Sequence, residues 1–135
     1  MFETLKNNFN ASPYYRLLGM KIIDIGSGVA QLKVSFKRKL EHIYGGIHGG
    51  VLASAGDAAV GAALATLIHR HEQVATIELK INYIAPAKSS HIIAEGRIVS
   101  KGHRIAVGEI KIYTEAKAQL VGVGLATYTI LNKRR

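Results

Sequence analysis

The chain has 135 residues, 48% of them apolar and 20% charged, with no cysteine and a net charge of +9 at neutral pH. That length suits one domain, residues 1–135, with a core that stands without staples, and the composition excludes a disordered chain. Without thiols there is no disulfide framework, thiolate metal site or cysteine nucleophile. The basic balance favours anionic partners or serves solubility.

Residues 3–18 read as a short, loosely amphipathic helix, with Leu5, Phe9, Leu17 and Leu18 apolar and Pro13 interrupting it. The first residues lack the basic start and apolar stretch of a signal peptide, so the expected location is cytoplasmic. The Asn10-Ala11-Ser12 acceptor pattern then carries no weight. Next, "MKIIDIGSG" reads as a strand ending in a Gly-Ser-Gly turn, and "VAQLKVSF" alternates like a half-buried strand. A basic, glycine-containing loop follows, through Gly46.

From about Gly49 to His69 the chain is rich in Ala and Leu and too long for a strand, which predicts a helix, apolar nearly all round and therefore buried. The run is long enough to consider as a membrane span, but its Gly and Ala content and its central Asp57 argue against one. Four strands then follow, "VATIELKINYI", "SHIIAEGRIVS", "RIAVGEIKIYTE" and "LVGVGLATYTIL". Their short connections predict an antiparallel meander. Gly96, Gly108, Gly122 and Gly124 inside these strands fit bends or bulges. The expected class is α+β, with one long helix wrapped by a curved antiparallel sheet of about six strands.

The chemistry concentrates in the central helix. His48-Gly49-Gly50 stands at its start, where unpaired N–H groups face outward and the dipole is positive. A carbonyl oxygen placed against Gly49 would be polarised there, although a plain loop-to-helix turn needs the same glycines. Asp57, eight residues on, is the one ionisable side chain between His48 and His69. It can act as a base towards water or as a nucleophile towards an acyl carbon. Its bland alternative is a buried carboxylate satisfied by Ser54, three residues back on the same face. His42 and His48 lack a third ligand at a recognisable spacing, so no metal is expected. His69 and His71 read as a solvated helix end. "GGIHGG" lacks the lysine and hydroxyl of a P-loop, and no serine nucleophile elbow is present. The basic residues gather as Lys37-Arg38-Lys39, Arg70 between its two histidines, Lys101 with His103 and Arg104, and Lys133-Arg134-Arg135. No reader motif or aromatic–basic interleaving suggests a nucleic acid.

"GGIHGGVLASAGDAA" resembles the signature of the hotdog-fold acyl-CoA thioesterases, in particular the phenylacetate-degradation-type branch. The similarity runs on through "VATIELKINYIAPAK" and "SKGHRIAVGEIKIYTEAKAQLVGVGLATYTI", covering about Leu18 to Ile130. The resemblance implies a hotdog fold and hydrolysis of a coenzyme A thioester without a cofactor. It implies that Asp57 is general base or nucleophile and that the Gly49 N–H polarises the thioester carbonyl. His48 then orients or packs, and Thr76 falls where relatives carry a hydroxyl that helps hold the attacking water. His42 stands where relatives commonly have Asn, and its imidazole can still donate a hydrogen bond. Gly50, Lys101, His103 and Arg104 are the implied contacts of coenzyme A. Small residues at Ala53, Ala58 and Gly61 leave room beside the helix. Two other readings stay open, a hotdog module that binds acyl-CoA without turnover and a hydratase. The latter wants a histidine beside Asp57 that this helix does not offer. Gly49 and Asp57 are about 12 Å apart along one helix, too far to serve one carbonyl. The expected assembly is thus a homodimer or dimer of dimers with shared active sites.

Overall fold

Six strands and one 17-residue helix make up most of the fold. A computed structural model describes residues 1–132, so the basic cluster Lys133-Arg134-Arg135 lies outside the described residues. In chain order come α1 (Glu3–Asn10), α2 (Pro13–Leu18), β1 (Met20–Gly26), β2 (Val29–Val34), a 3-10 turn (Arg38–Leu40), α3 (Gly49–Ala65), β3 (Glu72–Tyr83), β4 (Ile92–Lys101), β5 (Ile105–Thr114) and β6 (Leu120–Asn132). The single N-terminal helix expected from sequence is two helices. Pro13 cannot continue α1 but suits the first turn of α2, and Gly19, at φ 72°, closes α2 in the left-handed region.

The strands form one antiparallel sheet in the order β1-β2-β4-β5-β6-β3. Only β4, β5 and β6 keep the expected meander. β3 leaves it and takes the edge beside β6. The segment from Ile84 to His91 carries the chain over, with Ile84 N–H donating to the Val121 carbonyl at 2.8 Å.

α3 lies against the sheet and buries ten of its residues, among them Leu52, Val60 and Leu64. Facing them are Ile22, Leu32, Ile92, Ile110 and Ile112, each removed from water and each contributing about 1.5–3 kcal/mol. The helix ends at Ala65, earlier than its composition suggests. The Thr66 hydroxyl donates to the Ala63 carbonyl at 2.7 Å and accepts from Gly28 N–H at 2.8 Å, tying the helix end to the β1–β2 turn. His69 and His71 therefore lie beyond the helix, in the turn before and at the start of β3's approach.

Two of the four strand glycines stand at register breaks, Gly108 opposite Ile98 and Gly122 opposite Ile112, while Gly96 and Gly124 do not. Register breaks fall at Ile22/Asp24, Thr76/Glu78, Ile98/Ser100 and Ile112/Tyr113. Gly96 instead admits the helix, because a Cβ there would lie 2.5 Å from main-chain atoms of Ala59 and Val60. Gly108 faces the Val60 side chain in the same way, at 2.6 Å.

Candidate active site

The first turn of α3 is built by three consecutive residues. His48 takes the N-cap position with extended backbone, and its Nδ1 accepts from Gly50 N–H at 2.8 Å. Its carbonyl accepts from Val51 N–H at 2.9 Å. Among the described residues, Gly49 N–H is left without a partner, the orphan donor that a helix start always leaves. The Gly49 carbonyl accepts from the Tyr83 hydroxyl at 2.8 Å, and a Cβ at Gly49 would come within 3.2 Å of the Tyr83 ring. A cavity of about 320 Å³ opens here, lined by Gly49, His42, Ile47, Leu52, Tyr83 and Ile84. His42 belongs to a tight loop whose N–H donates to the Gly46 carbonyl at 2.8 Å, and its Nδ1 accepts from Tyr44 N–H at 3.0 Å. The structure thus gathers His42, His48, Gly49 and Gly50 at one end of α3.

Two turns further along, Asp57 is half-buried and fully engaged on one side. The Thr76 hydroxyl lies 2.9 Å from Oδ1 and 3.2 Å from Oδ2, and the Tyr128 hydroxyl lies 2.6 Å from Oδ1 and 2.7 Å from the Asp57 carbonyl oxygen. Thr76 and Tyr128 stand opposite each other across the β3–β6 ladder, so their side chains leave the same face of the sheet. The bulge at Ile77, next to Thr76, puts Ile77 outward. Ser54 does not satisfy the carboxylate, since its hydroxyl pairs with that of Tyr14 at 2.8 Å. Burial, and next the hydrogen bond to Asp57, push the Tyr128 phenol well above its ordinary range. Burial, then the Asp57 charge, does the same to Tyr15, whose buried hydroxyl has no hydrogen-bond partner among the described residues. Both phenols keep their protons beside the one carboxylate of α3.

Residues 44–121, more than half of the chain, match the family model of the thioesterase superfamily. The chain belongs to that superfamily. A Saccharolobus solfataricus protein bearing a provisional esterase name is 34% identical over 116 residues, which span 86% of this chain and 76% of that protein. The medium/long-chain acyl-CoA thioesterase YigI of Escherichia coli is 27% identical, over 87% of this chain and 85% of its own. The crystal structure of a Haemophilus influenzae thioesterase matches with a TM-score of 0.90 and 21% identity, covering 100% of this chain and 93% of that one, a likeness of fold.

In this thioesterase-superfamily chain the remaining sequence candidates lie at the far end of α3. Lys101, His103 and Arg104 are exposed around the β4–β5 turn, and the Arg104 carbonyl accepts from Ile130 N–H at 2.7 Å, two residues from Tyr128. The turn before β3 meets them. Glu72 Oε1 accepts from His69 N–H at 2.9 Å. That bond, then the positive charges of His69, His71 and Lys101, holds the Glu72 carboxyl below its ordinary range. The His69 and His71 rings stack at 5.6 Å and 6°. Two basic clusters some 30 residues apart in sequence thus share one end of the molecule. Tyr128, Tyr83 and Tyr15 were not among the residues singled out by sequence, because a tyrosine in an alternating strand or short helix reads as ordinary core. Among the described residues no three His, Asp or Glu side chains converge to hold a metal ion. No helix among them is long and apolar enough to cross a membrane.

Proposed function

We propose that the chain hydrolyses a coenzyme A thioester to the free acid and coenzyme A, in the cytoplasm, with Asp57 as base and the Gly49 N–H as the donor to the thioester oxygen. The observation that carries this reading is the helix itself, which offers one free N–H at its start and one carboxylate two turns on. Asp57 takes a proton from water as the water oxygen bonds to the acyl carbon. The carbonyl oxygen becomes an oxyanion against Gly49 N–H. Collapse of the adduct breaks the C–S bond, and the thiolate leaves with the proton that Asp57 received. A close variant has the carboxylate attack directly, giving a mixed anhydride that water then opens. A positioned base is worth about 10²–10⁴ in rate and one oxyanion donor about 10²–10³.

The two groups cannot meet on one chain, being about 12 Å apart along α3. A two-fold dimer that sets α3 beside an antiparallel copy supplies each site with Gly49 from one subunit and Asp57 from the other. The free outer edge of β3, with Ile77, Tyr83 and Ile84 exposed along it, supports a second copy docking there. Lys101, His103 and Arg104 then suit the phosphates of the nucleotide, with Arg70 and His71 close by. Gly50 contributes a bare backbone, since its N–H is held by His48. Thr76 keeps lone pairs that can accept from the attacking water.

A panel of acyl-CoA esters, followed with a thiol-reactive dye, tests the reading. The parent is expected to release coenzyme A, and Asp57→Asn to lose at least about 100-fold in kcat while still binding the ester. Binding without release by the parent would instead make this a carrier or sensor. Activity of Asp57→Asn within tenfold of the parent would remove Asp57 from the mechanism.

A further inference from the structure

Count the protons around Asp57. Its side chain offers two oxygens, and two hydroxyls approach them, each with one proton to give. Both reach Oδ1, Thr76 at 2.9 Å and Tyr128 at 2.6 Å, with Tyr128 also 2.7 Å from the Asp57 carbonyl oxygen, while Oδ2 has only the longer 3.2 Å approach of Thr76. The terminal torsion of an aspartate is otherwise soft and nearly two-fold. Two hydroxyls close to one oxygen make the two carboxylate oxygens unequal. Tyr128 is 5% exposed, so the Oδ1 side is the dry side.

Gly61 makes this arrangement possible. It lies one turn beyond Asp57 on α3, and a Cβ there would stand 2.9 Å from the Tyr128 hydroxyl oxygen, 3.4 Å from Cζ and 3.5 Å from Cε2. The room that Gly61 leaves beside the helix is filled by Tyr128. The hydroxyl alone is too close for a methyl group; the ring carbons are at ordinary contact distance. A residue on the last strand and a glycine on the helix therefore fit each other at one atom.

We propose that Tyr128 is a positioning residue, admitted by Gly61, which with Thr76 fixes Asp57 through Oδ1 and leaves Oδ2 as the oxygen that takes the proton. This rests on the reading of Asp57 as the base. Tyr128 does not touch the substrate; it acts through the carboxylate. A base displaced by a fraction of an ångström or turned about its torsion still binds no differently to the ester, so the loss falls on kcat rather than KM.

Three variants test it in the acyl-CoA assay, with the ester that the parent turns over fastest. Tyr128→Phe removes only the hydroxyl and is expected to lower kcat about tenfold with KM within about twofold of the parent. Gly61→Ala places a methyl group where the hydroxyl is and is expected to cause a similar loss. In Gly61→Ala with Tyr128→Phe the methyl group meets only ring carbon, so kcat should equal that of Tyr128→Phe alone rather than the product of two losses. Circular dichroism checks each fold, and if Tyr128→Phe does not fold, Gly61→Ala alone reads the same displacement. Parental kcat in a folded Tyr128→Phe, a change confined to KM, or multiplying losses in the double variant would overturn the assignment. Asp57→Asn runs alongside. If it is inactive and Tyr128→Phe is not impaired, Tyr128 alone falls; if Asp57→Asn itself keeps parental turnover, the base falls first.

Discussion

The first turn of α3 and the turn that carries Asp57 solve opposite problems on one helix. At Gly49 the group proposed to act is backbone, and it is available because every helix start leaves donors unpaired. His48 takes one of them and Tyr83 holds the carbonyl, but nothing is needed to hold the Gly49 N–H itself. At Asp57 the group proposed to act is a side chain, and three elements hold it: α3, β3 through Thr76 and β6 through Tyr128. A site built from backbone is vulnerable to anything that blocks access. A site built from a side chain is vulnerable to anything that lets it turn.

The sharpest way to break this comparison is to damage each place in a different subunit. Gly49→Val puts a branched side chain against Tyr83 and over the N–H, and Asp57→Asn removes the proposed base; each alone should be nearly inactive. Mixed and re-associated, random pairing makes about half the dimers hybrid. Each hybrid has one site with both lesions and one with neither, so about a quarter of parental activity should return. No recovery, once native mass spectrometry confirms hybrids, would place both groups in one chain. Next in size is the far end. Lys101→Ala with Arg104→Ala is expected to raise KM for coenzyme A esters several-fold and to flatten its rise with salt, leaving kcat nearly unchanged, because contacts to phosphate are remote from the reacting carbon and screened by ions. Steady-state kinetics across a salt series reads this directly.

Smaller effects sharpen the same contrast. Near Asp57, Tyr15 buries a hydroxyl that bonds to nothing among the described residues, at 6% exposure. Tyr15→Phe should therefore raise stability at pH 7, by about 1 kcal/mol. Above pH 10, the ordinary value for tyrosine, the unfolded chain releases its phenol protons while Tyr15 and Tyr128 in the folded chain keep theirs. The folded state then binds more protons, so stability falls as pH rises, and the fall should be shallower in Tyr15→Phe. Urea unfolding at neutral and alkaline pH would register both. Least of all should change with His42→Asn beside Gly49. The Asn side-chain oxygen can accept from Tyr44 N–H as His42 Nδ1 does, and kcat should stay within about threefold. A loss of most of kcat in a folded protein would give His42 a chemical role of its own.

What could be read from sequence followed the distance over which each feature is decided. The alternation of "VAQLKVSF" and the Ala-rich run after Gly49 are local, and both elements are present, as is the α+β class. His48-Gly49-Gly50 is local too, so the helix start was legible as a donor site. The edge position of β3 was not, because it depends on pairing with β6, some 50 residues on. Nor were the Asp57 partners. Ser54 was the near candidate, but the carboxylate is held from 19 and 71 residues away, and Thr76 came into view only through the family resemblance. Gly96 looked like a place where β4 bends, when its missing side chain serves the helix across from it.

Gly96 has one more effect. With no Cβ in between, β4 meets α3 main chain against main chain at Ala59 and Val60. Most helices rest on a cushion of side chains that random substitution can thicken or thin, shifting the helix by an ångström at a time. At the Gly96 crossing this one has no cushion to tune. The spacing from Gly49 to Asp57 behaves as a fixed ruler, and a library of variants selected for a new acyl group should leave α3 where it is and accumulate its changes in α1, α2 and the loop from Glu41 to Ile47.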